Sequence, residues 1–179
     1  MRSLLRSYGS ITIRNAGPED ARQLAAWWND GSVMAHAGFP RGLGITEDKV
    51  LRLLALDRDE TGRHLMILHD GMPIGEMNYR RQDEKACEIG IKICEPDAQN
   101  RGLGKICLSL LMDSLFREYG YDRIRLDTNL NNLRAQHVYE QLGFVKVRVN
   151  RDSWTDQLGA LQSSVDYECS REQWNSFLK

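Results

Sequence analysis

The sequence predicts a mixed α/β domain of the α+β kind, a mostly antiparallel sheet flanked by helices. Three observations predict it. Arg63 to His69 and Met72 to Arg80 read as two strands joined by Asp70-Gly71, a two-residue hairpin signal. Ala86 to Cys94 alternates, with Cys87, Ile89, Ile91 and Ile93 on one face and Ala86, Glu88, Gly90 and Lys92 on the other. Leu103, Ile106, Cys107, Leu110, Leu111, Ser114 and Leu115 then follow the spacing of an amphipathic helix.

The remaining elements fall in order around these. Ile11-Thr12-Ile13 begins a short strand. Gly17-Pro18-Glu19-Asp20 opens a helix running through Leu24 to Trp28, since proline and two acids suit the positive end of a helix dipole. Asn29 to Gly44, rich in glycine, reads as a long loop. Thr46 is placed to cap a helix carrying Val50, Leu51, Leu53 and Leu54. After the amphipathic helix come a strand at Arg123 to Asp127, a helix at Asn131 to Leu142 and a strand at Phe144 to Val149. A last strand at Val165 to Cys169 and a short helix at Arg171 to Leu178 complete the set. No repeat, low-complexity tract or linker interrupts it, so residues 1–179 are expected to form a single domain.

Composition removes several classes of function. A net charge of −1 makes no electrostatic case for nucleic acid or an anionic membrane. Arg80-Arg81 stand beside Asp83 and Glu84 and read as a solvated turn. No apolar run reaches the ~18 residues that span a bilayer. Met1 to Ser10 lacks the apolar core of a signal peptide, so a cytoplasmic location is expected. Cys87, Cys94, Cys107 and Cys169 form no CxxC pair and sit in apolar segments, the pattern of buried reduced thiols. The four histidines form no HxxxH or HExxH pair, and no metal site is expected.

The stretch Gln99-Asn100-Arg101-Gly102-Leu103-Gly104-Lys105 carries the most chemistry. It follows a strand and opens a helix, where unpaired N–H groups and the macrodipole favour an anion. Glycines let a phosphate approach the backbone, and Arg101 and Lys105 add charge. It is not a Walker A loop, because Ile106 follows Gly104-Lys105 and position 99 is Gln. It is not a Rossmann fingerprint either, because position 107 is Cys. Arg41-Gly42-Leu43-Gly44 repeats four of its letters without a preceding strand and reads as turn chemistry.

A second pattern lies at Asn132-Leu133-Arg134-Ala135-Gln136-His137-Val138-Tyr139. At 100° per residue Asn132, Ala135 and Tyr139 share one helix face, while Leu133, Val138 and Leu142 point elsewhere. Ala135 leaves space between an amide and a phenol. Taken singly, Tyr139 is equally a boundary residue with its hydroxyl in water, and Asn132 a helix cap.

Together the two patterns resemble the GNAT acetyltransferase superfamily. Its Q/R-x-x-G-x-G/A is matched by Gln99, Gly102 and Gly104, and its N-x-x-A-x-x-x-Y-x-x-x-G-F by Asn132, Ala135, Tyr139, Gly143 and Phe144. The order of elements agrees from Ile11 to about Cys169. Trp28-Asn29-Asp30 and Glu88-Ile89-Gly90 are similar to the branch of ribosomal-protein Nα-acetyltransferases and aminoglycoside 6′-N-acetyltransferases. Gln99-Asn100 replaces the usual Arg-Gly pair, and Glu95-Pro96-Asp97-Ala98 is a residue longer than in some relatives.

The resemblance implies a sheet splayed between the family's fourth and fifth strands and acetyl-CoA as acyl donor, with no metal. The loop of Gln99, Asn100, Arg101, Gly102, Leu103, Gly104 and Lys105 would hold the CoA pyrophosphate. The strand end at Ile93 and Cys94 would pair with the pantetheine arm, Asn132 would hydrogen-bond that arm, and Ala135 would make room for it. Tyr139 would protonate the departing thiolate. A thiol near 8.5 and a phenol near 10 differ by about 1.5 units, or ~2 kcal/mol. The acceptor amine would attack directly, with Glu88 or Glu76 as base; each carboxylate is equally read as an exposed or ion-paired strand residue. Trp28, Asn29, Asp30 and Phe39 belong to the variable early loop expected to line the acceptor cleft. Trp27 and Trp28 are adjacent, so one is expected to be partly exposed. The acceptor is a small-molecule amine or a protein N-terminus, and the protein a monomer or a homodimer joined through its last strands, with Trp154 and Leu158 to Leu161 available for the contact. Two other readings stay open: a non-catalytic acyl-CoA sensor of the same fold, and a generic nucleotide-binding domain.

Overall fold

A computed structural model describes residues 4–179, so the first three residues of the segment Met1–Ser10 lie outside the described residues. Eight strands form one sheet in the order β1-β2-β3-β4-β5-β6-β8-β7. β1 (Leu5–Tyr8) and β2 (Ile11–Asn15) are an antiparallel hairpin. β1 was not expected: four residues alternating between exposed and half-buried carry too short a pattern to read. β3 (Gly62–His69), β4 (Met72–Arg81) and β5 (Ala86–Ile93) continue the meander. β6 (Arg123–Asn129) pairs with β5 in parallel, and β8 (Leu161–Ser170) joins β6 to the edge strand β7 (Val145–Thr155).

The helices occupy both faces. α1 (Ala21–Asn29) follows a 3-10 turn at Pro18–Asp20, and α3 (Glu47–Ala55) begins at Thr46, whose hydroxyl accepts from the Lys49 amide at 3.3 Å. The expected loop between them contains a short helix, α2 (Gly31–Met34), and a 3-10 turn at Ala35–Ala37. Its signal is local: the Asp30 carboxylate accepts from the Ser32 amide at 2.8 Å and caps it. α4 (Leu103–Arg117) and α5 (Leu133–Gln141) lie on the opposite face.

The expected helix at Arg171 to Leu178 is absent. The chain makes a turn and then runs irregularly, because other elements take the hydrogen bonds a helix needs. Asn175 N–H donates to the Leu142 carbonyl at 2.9 Å, and Phe177 N–H to the Ser109 hydroxyl at 3.1 Å.

Alternation along the strands separates two cores. Ile13, Leu65, Ile67, Met77, Tyr79, Cys87, Ile124 and Leu126 face α4 and α5. Met66 faces the other way, against Leu24, Trp28, Val50 and Leu54 of α1 and α3. Both tryptophans are buried, contrary to the expectation that one is exposed. The helix is enclosed on two sides, and each indole finds a carboxylate. Trp27 Nε1 donates to Glu95 at 2.7 Å, and Trp28 Nε1 to Glu76 at 2.8 Å. All four cysteines are free and buried. Among the described residues no helix is long and apolar enough to cross a membrane.

The splay lies where it was expected, one strand later in count because of β1. β5 and β6 pair only over Ala86–Glu88 with Arg123–Arg125. Beyond Glu88, β5 follows β4 instead. A Cβ on Gly75 would stand 2.2 Å from the Lys92 carbonyl oxygen, so the two backbones are closer than any side chain permits. The Cys94 and Glu95 amides then both donate to the Ile74 carbonyl, at 2.8 and 3.1 Å. β6 stays with β8 along its whole length, from Arg123–Ser170 to Asn129–Ser164. Gly75→Ala should therefore push β5 off β4, lowering stability by about 1–3 kcal/mol in a denaturant titration. An unchanged midpoint would mean that the close approach is not what draws the strands apart.

Candidate active site

α4 begins at the mouth of this opening. Gly102 stands at its N-cap in the left-handed region (φ 74°), and no side chain caps the first turn. Its amides are thus offered outward at the positive end of a helix of 15 residues. A Cβ on Gly104 would meet no atom within 4 Å, which leaves open space directly over that turn. The loop is braced from three directions. Gln99 Nε2 donates to the Ile93 carbonyl at 3.0 Å, Arg134 Nη1 donates to Asn100 Oδ1, and Lys105 Nζ lies 4.7 Å above the Phe177 ring centroid. Asn100 also takes a positive φ of 61°. Arg101 is exposed beside it. These features fit a diphosphate: free amides, room for the anion and cations at the rim. The other glycine pair, Gly42 and Gly44, sits in a turn whose Gly42 backbone presses on Asn29, as its reading as turn chemistry requires.

From Ile89 onward the side of β5 facing the opening has no strand partner. Cys94, at the end of that run, is less available than expected, with its amide bonded to Ile74 and its side chain buried. The Ile93 carbonyl already accepts from Gln99. The unpartnered edge is therefore Ile89–Lys92.

Tyr139 lies beneath the opening, buried against Phe144 and Tyr167 with ring centroids 6.0 and 5.9 Å away. Its hydroxyl makes no hydrogen bond to another described residue. Burial pushes the phenol up to about 12, and the negative charge of Asp127 adds to the shift. Asn132 immediately precedes the helix that carries Ala135 and Tyr139. It is the N-cap of α5, its Oδ1 accepting from the Ala135 amide at 3.2 Å. Ala135 is half-buried behind it.

On the other sheet face a polar trough crosses β4 to β8, because residues paired across strands share a face. Glu88 is engaged there, with Arg80 at 2.9 Å and Gln82 at 3.1 Å. Glu168 pairs with Arg125 at 2.8 Å, and Asp166 takes Arg148 at 3.3 Å and Asn150 at 3.0 Å. Glu76 is buried, held by Trp28 and by Lys92 Nζ at 3.1 Å. Asp127 differs. It lies opposite Asp166, two residues past the end of the β5–β6 pairing, and its carboxylate enters no ion pair among the described residues. Asp127 is open to solvent on one side, while the protein atoms on its other side raise it above the usual aspartate value and the like charges of Glu88 and Asp166 add to the shift. In the sequence Asp127 is the last residue of an expected strand and belongs to no motif. The available signal was its place after the alternating Ile124 and Leu126, which put it on the polar face.

The early loop is more structural than expected. Asn29 clasps Ile45, donating to its carbonyl at 2.8 Å and accepting from its amide at 2.7 Å. Asp30 is the α2 cap, and Trp28 is buried. Phe39 is 38% exposed and sits where the loop meets the β7–β8 hairpin. Gln157 joins the two, its amide donating to the Gly38 carbonyl at 2.8 Å and its side chain engaging Arg41 and Gly42. Trp154 packs against Gly38 of the same chain and stays partly exposed. Among the described residues no group of histidine, cysteine, aspartate or glutamate is arranged to hold a metal.

Residues 10–145 match the family model described as the acetyltransferase (GNAT) domain. A mycothiol acetyltransferase from Beutenbergia cavernae is 35% identical over 146 residues, 79% of this chain and 48% of the relative. The chain thus spans about half the length of that relative. Two solved structures share the fold. A spermidine N-acetyltransferase from Vibrio cholerae, in complex with CoA and spermine, superposes with a TM-score of 0.82 at 20% identity, covering 92% of this chain and 97% of the other. A ribosomal-protein-S5-alanine acetyltransferase from Vibrio fischeri superposes with a TM-score of 0.77 at 17% identity, covering 96% and 99%.

Two outcomes follow from the geometry. Asn132→Ala should cost about 1 kcal/mol of stability, and Asn132→Asp should restore it, as read by chemical denaturation; equal losses in both variants would deny the cap. Asp127 has a folded value above its unfolded one, so its contribution is fully present below the unfolded pKa and is lost as pH rises through the folded pKa. Asp127→Asn should therefore melt above the wild type at pH 7, with the advantage vanishing toward pH 4. A variant that melts lower at pH 7 would show that the carboxylate is stabilised.

Proposed function

We propose, for a chain that belongs to the GNAT acetyltransferase family, that it transfers the acetyl group of acetyl-CoA to a primary amine held in the trough. The observation that carries this reading is the opening between β5 and β6. Uncapped α4 amides stand at its mouth, an unpartnered strand edge along its side, and Tyr139 and Asp127 on its two faces. In this reading Gln99–Lys105 hold the diphosphate, and Ile89–Lys92 receive the amide-bearing arm as a further strand would be received. Acetyl-CoA supplies an activated acyl group whose sulfur is a good leaving atom. Cys87, Cys94, Cys107 and Cys169 are buried with their thiols pushed up to about 12 or beyond. None is suited to carry the acyl group, which favours direct attack by the amine.

The proton traffic divides between two residues. An amine arrives charged, and Asp127 is the trough carboxylate without a competing ion pair, so it is the group placed to attract the ammonium and take its proton. Glu88 is held by Arg80 and Gln82, and Glu76 lies under Trp28 and Lys92, which reduces both as bases. Tyr139 donates toward the departing sulfur. Once Asp127 carries a proton, the charge that raises Tyr139 is removed, which eases that donation. Asn29, Asp30 and Trp28 shape the wall of the cleft, and Phe39 stands at its exposed end. A spermidine N-acetyltransferase and a ribosomal-protein acetyltransferase share this fold, so polyamines and protein N-termini are the first acceptors to try. We place the reaction in the cytoplasm and in one catalytic unit over residues 1–179.

The test combines calorimetry with acetyl-CoA, CoA, ATP and NAD, and thiol release across polyamines, aminoglycosides, amino acids and short peptides. Acetyl-CoA binding with release on one amine class is expected; binding without release on any amine would favour a sensor, and preference for ATP or NAD would overturn the assignment. In the active assay Tyr139→Phe should lower kcat about 10²-fold with acetyl-CoA affinity intact. Asp127→Asn should do likewise at neutral pH and recover in part at high pH, while Glu88→Gln changes kcat little. The reverse ranking of the two carboxylates would return the base role to Glu88.

A further inference from the structure

Residues 171–179 run along α4 in the direction opposite to the helix. Trp174 packs against Phe116, with ring centroids 5.6 Å apart, and the Arg117 guanidinium lies 5.8 Å over its ring. Three residues later Phe177 N–H donates to the hydroxyl of Ser109, a fully buried serine, at 3.1 Å. Its ring then lies under the Lys105 ammonium, 4.7 Å from centroid to Nζ. Ser109 and Lys105 are four residues apart and share one helix face. The segment is thus fastened on a buried hydroxyl one turn behind the loop and meets the loop's own lysine with an aromatic face.

A lysine on a flexible four-carbon stem has many places to put its charge, most of them away from a ligand at the helix end. The quadrupole of an aromatic face attracts the ammonium and narrows that choice. The Phe177 ring occupies one side of the ammonium only, leaving its remaining N–H groups for an anion.

We propose that Phe177 is a positioning residue for the donor site, its ring holding Lys105 at the mouth of the Gln99–Lys105 loop where a phosphate of the cofactor is received. This rests on the reading of that loop as the CoA diphosphate site. The segment 171–179 then has a part in cofactor affinity although it follows every motif that the family resemblance draws on. The effect acts through charge on the phosphates and not through the thioester or the acceptor.

The experiment compares the wild type with Phe177→Leu, Phe177→Trp, Lys105→Met and the double variant Lys105→Met/Phe177→Leu, using the full chain. Calorimetric Kd and KM are read for acetyl-CoA, and S-acetylpantetheine serves as a donor without the diphosphate. Phe177→Leu is expected to weaken acetyl-CoA binding about two- to fivefold and to leave KM for the acceptor and turnover on S-acetylpantetheine as they were. Phe177→Trp is expected to restore the affinity. In the Lys105→Met background Phe177→Leu should add nothing. A Phe177→Leu protein that melts lower but binds acetyl-CoA like the wild type overturns the proposal, as does equal impairment with S-acetylpantetheine or a further loss in the Lys105→Met background. A wild type that binds no acetyl-CoA overturns the loop reading itself, and the role of Phe177 with it.

Discussion

The parting of β5 from β6 is the constraint on which the rest of the molecule depends. Two strands that pair over Ala86–Glu88 and Arg123–Arg125 and then diverge leave backbone groups that a continuous sheet would satisfy. The sheet tolerates this because each strand keeps its other neighbour. β5 is drawn onto β4 at Gly75, where no side chain intervenes, and β6 is paired with β8 to its end. The same divergence sets the α4 N-terminus at one end of the gap and lets Tyr139, on the core side of the sheet, sense the charge of Asp127 on the other side.

Electrostatics on the trough face follow a simple rule with one exception. Glu88, Asp166 and Glu168 each have an arginine, which fixes their geometry and occupies their lone pairs. Such pairs on a partly exposed surface add little stability, but they leave the trough with few uncommitted charges. Asp127 is the exception. The protein atoms around it and the two neighbouring carboxylates both disfavour its charged form.

The chain's sequence revealed the sheet, the helices α1, α3, α4 and α5, the thiols and the loop that opens α4, because each is written in a short-range signal. Alternation marks β5, helical spacing marks α4, and the glycines of Gln99–Lys105 stand at a strand–helix junction. Features set by distant partners were less legible. The helix expected at 171–178 yielded to Ser109 and Leu142, which take its amides. The pair Trp27 and Trp28 looked too wide for one core because Glu95 and Glu76, far along the chain, were not seen as their partners. Asp127 carried no motif and was missed. Asn132 is legible as a helix cap, and its Oδ1 accepts from the Ala135 amide of its own helix. Glu88, legible as a strand carboxylate, had its arginine eight residues upstream, within reach of a closer reading of the β4–β5 hairpin.

The free edge of β5 is made of main chain, and main chain is the same whatever residue carries it. Exchanging Ile89 or Ile91 for another branched residue alters the packing beneath the strand and leaves the polarity of that edge untouched. The trough on the neighbouring face is the opposite case, a surface composed of side chains and rewritten by every substitution. One strand therefore carries an invariant text along its rim and an editable one on its face. Substitution on this strand can rewrite the trough while the hydrogen-bonding pattern of the rim stays as it is.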